Sequence, residues 1–179
     1  PIPIELPTDT WLNPHGQMRR LSNGTLAFNA RGGYLPDVLR HNPNLPGRVS
    51  YMDRSTDDGQ SWRTEDGIGY DASETGFDLL DGGRWIGYVR YNDRPNQIAR
   101  SNDGGLSWDS LSVTATNTPQ SFDSNFDFIW NIETDPSNDS LDVVYAAIWH
   151  CIYRSEDGGN SWNFELGTVA SFGGAYYTN

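Results

Sequence analysis

The chain contains no lysine, a single cysteine and no long apolar run. Its basic residues are all arginines, and twelve of them against twenty-four Asp and Glu give a formal net charge of -12. That excess of negative charge argues against duplex nucleic acid or an anionic membrane surface as a partner. Cys151 alone excludes an intrachain disulfide and a cysteine-based metal cluster, and no run approaches the roughly eighteen apolar residues of a membrane-spanning helix.

The absence of lysine leaves arginine as the cation for any anionic ligand. A guanidinium offers a planar fork that binds a carboxylate at two points, so the composition permits a carboxylate-bearing ligand, although drift in surface composition is the simpler explanation. The three histidines, His15, His41 and His150, lack the spacing of metal ligands. The sequence also has no phosphate-binding loop, and we therefore expect neither a metal nor a cofactor.

Frequent turn-forming residues predict an all-β chain. Nineteen glycines and ten prolines interrupt the sequence, and no stretch of eleven residues keeps helical apolar spacing without a break. Aromatic residues make up 13% of the chain and must supply much of its core. Many short strands joined by turns are the arrangement that remains.

One eight-residue pattern, Ser-x-Asp-x-Gly-x-Ser-Trp, occurs three times, and each copy follows an arginine. Its fixed residues are Ser55, Asp57, Gly59, Ser61 and Trp62 in the first copy, Ser101, Asp103, Gly105, Ser107 and Trp108 in the second, and Ser155, Asp157, Gly159, Ser161 and Trp162 in the third. The copies start 46 and 54 residues apart, which is the length of a four-stranded propeller blade.

The chemistry of the pattern indicates a structural turn. An Asp carboxylate accepts backbone N–H bonds from residues shortly after it, and Gly supplies the positive φ of a tight hairpin. We therefore predict that all three aspartates accept such bonds within their own turns. The Trp that follows is expected to be buried at equivalent places in successive sheets.

The pattern resembles the Asp-box, or bacterial neuraminidase repeat, of sialidases, sortilin-type receptors and some xyloglucanases, over roughly residues 13 to 168. The resemblance implies a β-propeller of four-stranded antiparallel blades, with each box joining the third and fourth strands. Blades are expected at about 13–69, 75–114 and 124–168, within a single domain or propeller fragment covering 1–179. Their expected strands are 15–22, 25–31, 48–55 and 62–67, then 76–81, 84–91, 96–101 and 108–114, and finally 125–134, 141–149, 151–155 and 162–168.

Three blades do not close a propeller ring, which typically has four to eight. Terminal strands within 1–12 and 169–179 are expected to add to the arc. The chain is then a fragment of a longer polypeptide, a protomer that completes its ring as a homo-oligomer, or a small four-bladed ring built partly from its termini.

The family's ligands bind on the propeller face away from the boxes. Asn23-Gly-Thr25 leads through a strand to Arg31, and Asp37 follows a few residues later, as in a sialidase segment that ends in a substrate-binding Arg and an acid/base Asp. Strand parity predicts that both residues lie on the face opposite the boxes. By the same resemblance, the catalytic candidates are Asp37, Tyr70 and Glu74, and the substrate-binding candidates are Arg31, Arg94 and Tyr91.

These residues favour a sialidase-like glycoside hydrolase, or part of one, with a glycan as its substrate. The family's first arginine motif has no counterpart at Leu12 to His15, which keeps a second class open. That class is a non-catalytic propeller that binds a glycan or a protein, and it is favoured by a third blade of more xyloglucanase-like and sortilin-like character. A third class is an engineered or recombined propeller fragment that self-assembles.

Overall fold

The structure is a computed structural model, and it describes residues 12–32, 49–70, 72–91, 96–111, 114–116, 129–135, 137, 142–148 and 151–167. Within these ranges the chain is all-β apart from one short 3-10 turn. The terminal strands predicted within 1–12 and 169–179 lie outside the described residues except for residue 12, which begins the first strand.

The first sheet contains four antiparallel strands in chain order. They are β1 (Leu12–Arg20), β2 (Leu26–Gly32), β3 (Val49–Ser55) and β4 (Arg63–Tyr70). The first hairpin turns at Asn23 and Gly24 as predicted, because Gly24 has a φ of +88° and the Asn23 side chain accepts the Thr25 N–H at 3.0 Å.

The second sheet repeats this order with shorter strands. They are β5 (Thr75–Leu79), β6 (Trp85–Val89), β7 (Gln97–Ser101) and β8 (Asp109–Leu111). The predicted turn at Asp81, Gly82 and Gly83 joins β5 to β6, with positive φ at both glycines.

The third sheet has five strands, one more than expected. They are β9 (Thr114–Thr116), β10 (Ile129–Thr134), β11 (Val144–Ile148), β12 (Cys151–Ser155) and β13 (Ser161–Gly167). The sequence predicted a single strand over 108–114, but β8 ends at Leu111 and β9 pairs in parallel with β13 of the third sheet. The outer edge of the third sheet is therefore covered where β13 begins.

Three turns with the same hydrogen bonds connect β3 to β4, β7 to β8 and β12 to β13. We call them turn 1 (55–62), turn 2 (101–108) and turn 3 (155–162). In turn 1 the Asp57 carboxylate accepts the Ser61 N–H at 2.8 Å and the Ser61 hydroxyl at 2.5 Å, and the Ser55 hydroxyl accepts the Gly59 N–H at 2.8 Å. Asp103 and Asp157 make the corresponding bonds, which confirms the prediction that all three carboxylates accept backbone N–H bonds within their own turns.

These bonds also fix the charge of the turns. The hydroxyl and N–H of Ser61 lower the pKa of Asp57 to about 2, and the equivalent bonds from Ser107 lower the pKa of Asp103. The carboxylate form is the one that accepts the bonds, so the turns are stabilised by the ionised state.

The tryptophans that end the turns differ in burial. Trp162 is fully buried, whereas Trp62 and Trp108 are half-buried, so the expectation of equivalent surroundings is wrong in this respect. Trp162 is a member of the core cluster that contains Leu80 and Ile86, whereas Trp108 packs at the edge of the other cluster and Trp62 contacts Phe28 of its own sheet. The indoles of Trp108 and Trp162 nevertheless make the same bond, each donating to the turn glycine three residues earlier, at 3.2 and 2.9 Å.

Two apolar cores hold the three sheets face to face. The core between the first and second sheets includes Met52, Phe77, Trp85 and Val89, and Phe77 stacks on Trp85 with ring centroids 4.8 Å apart. The core between the second and third sheets contains Leu80, Ile86, Tyr88, Ile98, Ile132, Val144, Tyr153 and Trp162, among others. The second sheet is thus covered on both faces, which is the environment of an internal propeller blade.

In two places, an arginine of one sheet donates a hydrogen bond to the turn of the next sheet along the chain. Arg54, just before turn 1, donates to the carbonyl of Gly104 in turn 2 and lies over the Trp85 ring at 5.0 Å from its centroid. Arg100, just before turn 2, donates to the carbonyl of Gly158 in turn 3. The arginines that the sequence places before the turns therefore connect neighbouring sheets.

Strands β1, β5 and β10, one from each sheet, meet at the buried carboxylate of Asp78. Its Oδ1 lies 2.8 Å from the Nε of Arg19 in β1, and its Oδ2 accepts the backbone N–H and the hydroxyl of Thr134 in β10 at 2.6 and 3.0 Å. Asp78 is 5% exposed. One carboxylate in β5 thus joins strands from all three sheets, and Arg19 extends the contact to Glu133 at 2.6 Å.

Replacing Asp78 by Ala should destabilise the chain by about 3 kcal/mol, because Arg19 and the Thr134 N–H lose their buried acceptor. Urea denaturation followed by tryptophan fluorescence measures the change. Asp109→Ala removes an exposed carboxylate from the same sheet and serves as the control. Equal effects from the two substitutions would contradict the central role of Asp78.

Two glycine substitutions separate backbone strain from packing between sheets. Gly24 and Gly159 both have positive φ, +88° and +93°, but a Cβ at Gly24 meets nothing within 4 Å whereas a Cβ at Gly159 overlaps Ile86 of the second sheet. Gly24→Ala should cost about 1 kcal/mol from strain alone, and Gly159→Ala roughly 1–3 kcal/mol more. Thermal unfolding of both variants tests this; similar losses would argue against tight packing at turn 3.

Candidate functional site

The register of the sheets separates two ends, which we call the turn end and the loop end. Turn 1 follows Ser55 at the last residue of β3, whereas Arg31 pairs with Ser50 near the first residue of that strand. Arg31 therefore lies at the loop end, as strand parity predicts. Asp37, which was expected beside it, lies outside the described residues.

Glu74 and Arg90 face each other at the loop end of the second sheet. The hairpin of β5 and β6 is centred on Gly82, and its register continues past both strands, because the Arg90 N–H donates to the Glu74 carbonyl at 3.0 Å. Their side chains form an ion pair, with Arg90 Nη1 2.5 Å from Glu74 Oε2. The backbone pairing of this hairpin therefore places Arg90 beside the Glu74 carboxylate.

Arg31 reaches the same carboxylate from the first sheet. Its Nη1 lies 3.4 Å from Glu74 Oε1 and donates to the Ser73 hydroxyl at 3.0 Å, while that hydroxyl donates to Glu74 Oε2 at 2.6 Å. The side chains of Arg31, Glu74 and Arg90 are 19%, 31% and 23% exposed. Two guanidiniums from different sheets and one carboxylate form a polar cluster open to solvent on one side; we call Arg31, Ser73, Glu74 and Arg90 the loop-end cluster.

A buried polar layer supports this cluster. Asn29, two residues before Arg31, donates to the hydroxyl of Thr75 at 2.7 Å and to its carbonyl, and Ser50 shares a hydrogen bond with the same hydroxyl. All three residues are at most 1% exposed. Because these bonds cross from the first sheet to the second, they fix Arg31 relative to Glu74.

The electrostatics of the cluster keep Glu74 ionised. Burial alone raises the pKa of its carboxyl, but the Ser73 hydroxyl, a backbone N–H, Arg90 and Arg31 together outweigh burial and leave that pKa below its ordinary value. A carboxylate in this state can act as a hydrogen-bond acceptor, a base or a nucleophile. It is poorly suited to donate a proton at neutral pH.

His15 borders the cluster from β1. Burial lowers its pKa from 6.5, Arg31 and Arg90 lower it further, and Glu74 acts in the opposite direction. The neutral imidazole is therefore favoured, and its Nε2 is buried without a hydrogen-bond partner among the described residues. A neutral imidazole beside a carboxylate and two guanidiniums can accept a proton, and its N–H can donate a hydrogen bond.

Tyr88 provides a phenol near Glu74, but in an unreactive state. Burial raises its pKa to about 12, and the Glu74 carboxylate adds to the rise. The ring belongs to the core between the second and third sheets and is 4% exposed. Its hydroxyl therefore stays protonated, which is unfavourable for a nucleophile.

The other predicted site residues fall in different places. Tyr91 is 8% exposed, belongs to the core between the first and second sheets, and its hydroxyl donates to Gln97 at 3.3 Å. Tyr70 ends β4 at the loop end, where its backbone pairs with Val49. Arg94 lies outside the described residues. The structure thus brings together Arg31 and Glu74 of the six candidates, and their functional roles stay predictions.

The sequence analysis missed three members of this neighbourhood, which are Ser73, Arg90 and His15. A signal for Arg90 was present, because Glu74 and Arg90 stand eight residues on either side of Gly82, the centre of the predicted hairpin. For His15 there was no comparable signal, since its surroundings depend on how the first two sheets pack.

A second concave region lies at the turn end, between the first and second sheets. It is a cleft of about 560 Å³, lined by leucines such as Leu79 and Leu106 and by Arg54 and Arg84. Its two arginines already have partners, because Arg54 donates to Gly104 and Arg84 pairs with Asp142 at 2.6 Å. The arginines of the loop-end cluster are paired as well, but there two of them share one ionised carboxylate next to a histidine, and we take this cluster as the candidate for a polar ligand.

Among the residues that the structure describes, no group of three or more His, Cys, Asp or Glu side chains is arranged to hold a metal ion. Across the same ranges there is also no helix with the length and hydropathy needed to cross a bilayer.

The architecture of stacked four-stranded antiparallel sheets is β-propeller-like and similar to that of propeller glycoside hydrolases. A sialidase from Trypanosoma rangeli aligns with a TM-score of 0.50 at 14% identity, over 77% of this chain and 23% of its own. An α-L-arabinofuranosidase from Fusarium graminearum aligns at 0.47 and 14%, over 90% of this chain and 49% of its own. A protein of unknown function from Dyadobacter fermentans aligns at 0.46 and 20%, over 85% and 49%.

These similarities concern the fold alone, and the chain spans about half the length of two of these proteins and about a quarter of the sialidase. No protein-family profile matches the sequence, and no curated protein matches it.

The lowered pKa of His15 gives a testable pH dependence. The unfolded chain binds a proton near pH 6.5 and the folded chain does so only at lower pH, so stability should rise with pH through this window and fall as pH decreases below it. His15→Gln should flatten the dependence between about pH 5 and 7. Urea denaturation at several pH values measures it, and an unchanged slope in the variant would rule out His15 as its source.

Proposed function

We propose that the chain handles a glycan at the loop-end cluster, as a sialidase-like glycoside hydrolase or part of one. The observation that carries this proposal is that Arg31 of the first sheet and Arg90 of the second converge on one ionised carboxylate, Glu74. The cluster stands at the end of the sheets opposite the three turns, which is the end where the resemblance to Asp-box propellers places the ligand.

Each member of the cluster supplies a useful interaction. The guanidiniums offer planar donors to sugar hydroxyls or to a carboxylate, and Glu74 accepts a hydrogen bond or serves as a base. In a hydrolase of the resembled kind, Asp37 would be the acid and Tyr70 and Glu74 the remaining catalytic pair, with Arg94 and Tyr91 as further substrate contacts. The buried position of Tyr91 favours a supporting role beneath the site over direct contact.

A second candidate function is glycan binding without cleavage, and the state of Tyr88 favours it. Tyr88 lies near Glu74, and burial raises its pKa to about 12. A hydrolase that used this tyrosine as its nucleophile would need the reverse shift. Glu74 also already pairs with both arginines, so an acidic sugar must compete with it, whereas a neutral sugar can bind to the intact cluster.

The test measures cleavage and binding on the same proteins. Release of a fluorogenic phenol from an aryl sialoside reports hydrolysis, and a glycan array followed by calorimetry reports binding. If the proposal holds, Glu74→Gln should abolish turnover, Asp37→Ala should reduce it by at least roughly tenfold, and Arg31→Lys should weaken binding by about tenfold through loss of the guanidinium fork.

Matched controls exclude general effects of charge. Glu165→Gln removes an exposed carboxylate from β13, and Arg63→Lys changes an exposed arginine of β4. Both should retain full activity and binding. Binding without turnover would establish the second function, and neither binding nor turnover with any glycan would overturn both.

A further inference from the structure

The contact between neighbouring sheets has the same donor and acceptor at both places where it occurs. Arg54 donates to the carbonyl of Gly104, and Arg100 donates to the carbonyl of Gly158. Both acceptors are the fourth residue of their turn and have positive φ, +75° and +64°. Each arginine thus reaches the turn of the next sheet along the chain, and the arrangement is directional.

Arg154 is the third arginine of this series, and it makes different contacts. It stands just before turn 3 and pairs with Tyr145, as Arg54 pairs with Ala27 and Arg100 with Ile86. Its guanidinium forms an ion pair with Glu156 and lies 6.0 Å from the centroid of the Tyr145 ring, both in its own sheet. It is the one arginine of the series that the described residues do not join to another turn.

The outer face of the third sheet, on which Arg154 lies, is also incompletely covered. Ala27 and Ile86, which oppose the two joined arginines, are fully buried, whereas Tyr145 is only half-buried. Leu166, which pairs with Ile152 on the same sheet, is 40% exposed. The equivalent faces of the first two sheets are covered by the next sheet.

Turn 1 is the matching acceptor, and no arginine among the described residues donates to the carbonyl of its fourth residue. Its fourth residue is Asp58, which has a φ of +59° and is the only described residue other than glycine with positive φ. The local geometry therefore equals that of Gly104 and Gly158. A Cβ built at Gly59 meets only Leu26 and Trp62 of its own sheet, each at 3.8 Å.

In turns 2 and 3, unlike turn 1, an arginine of the preceding sheet lies close to a turn glycine. A Cβ at Gly105 would lie 2.9 Å from Arg54 Nη2, and one at Gly158 would lie 3.1 Å from Arg100 Nη2. Behind turns 2 and 3, strands β6 and β11 begin at Trp85 and Val144, which are 2% and 0% exposed. Behind turn 1, strand β2 begins at Leu26, which is only half-buried. The turn edge of the first sheet therefore lacks a preceding sheet among the described residues.

From these observations we infer that the chain associates head to tail with a second copy, whose turn 1 accepts a hydrogen bond from Arg154 at the Asp58 carbonyl. The inference does not depend on the proposed glycan function. One chain carries both halves of the contact, and turns 2 and 3 are already occupied by Arg54 and Arg100. The Asp58 side chain is 73% exposed and already pairs with Arg20 at 2.6 Å, so the acceptor for the incoming guanidinium is the backbone carbonyl of Asp58.

Such a contact joins unlike surfaces, so it generates either a closed ring or a longer assembly. The face of the first sheet that would meet the other copy has Tyr51 at its centre, and this residue is already fully buried. We therefore expect the contact at the turn edge of that face. There Leu26, Asp58 and Gly59 of one copy meet Tyr145 and Arg154 of the other.

Sedimentation over a range of concentrations tests the association. We expect the full chain to show at least twice the monomer mass at high concentration and to dissociate on dilution. Arg154→Gln should weaken the association by roughly tenfold or more, because a charged hydrogen bond is lost. Arg63→Gln removes the same charge from the face of the first sheet that does not carry the proposed contact, and it should leave the association unchanged.

A cross-linking experiment locates the contact independently of folding effects. Arg154→Cys protein is mixed with Asp58→Cys protein under oxidising conditions, and the wild-type chain, whose Cys151 is buried, is the control. A mixed disulfide at twice the monomer mass, formed faster than in either variant alone, supports the inference. A monomeric wild-type chain at every concentration, or association that survives Arg154→Gln unchanged without the mixed cross-link, overturns it.

Discussion

In each turn, the aspartate carboxylate accepts the N–H and the hydroxyl of the serine four residues later, and the first serine accepts the N–H of the glycine between them. These bonds force the backbone of the fourth and fifth residues into positive φ. The carbonyl of the fourth residue then turns outward, where an arginine of the preceding sheet can reach it. A local hydrogen-bond pattern thereby controls how one sheet meets the next.

This contact and the two apolar cores together set how the sheets stack. Once the sheets stack in a fixed register, their first strands come together, and Asp78 can bind Arg19 and Thr134 at once. At the opposite end the same register carries Arg31 to Glu74. The turn end is repetitive and consists of local bonds, whereas the loop end combines residues that occur once. A chain that stabilises itself at one end is free to vary the other, which is where binding residues are found in such folds.

The all-β arrangement of four-stranded antiparallel sheets could be predicted from the sequence because its signals are local. The spacing of the three turns indicated the sheets, and Asn23 with Gly24 and Asp81 with Gly82 and Gly83 indicated the hairpins. The parallel strand β9 could not be predicted, since three residues carry no period and their partner lies in another sheet. The unequal burial of Trp62 and Trp162 likewise depends on which neighbouring sheet covers each ring.

The candidate site was only partly predictable for the same physical reason. The position of Arg31 followed from strand parity, and Glu74 was a candidate because it lies near the right end. Arg90 required the hairpin register to be extended past the strands, and His15 required knowledge of the packing between sheets. Residues that meet through hydrogen-bonded neighbours are accessible to sequence reasoning, whereas residues that meet across an apolar core are not.

The absence of lysine acquires a structural meaning at the contact between sheets. Arg54 lies over the Trp85 ring and donates to the Gly104 carbonyl, and a planar guanidinium can make both interactions together. An ammonium group has no face to stack, and its stronger hydration opposes the half-buried position. Lysine at residues 54 and 100 would keep the charge but lose the contact of a planar group with the Trp85 ring at the first contact. The geometry of the contact between sheets therefore accounts for arginine at these positions, independently of any anionic ligand.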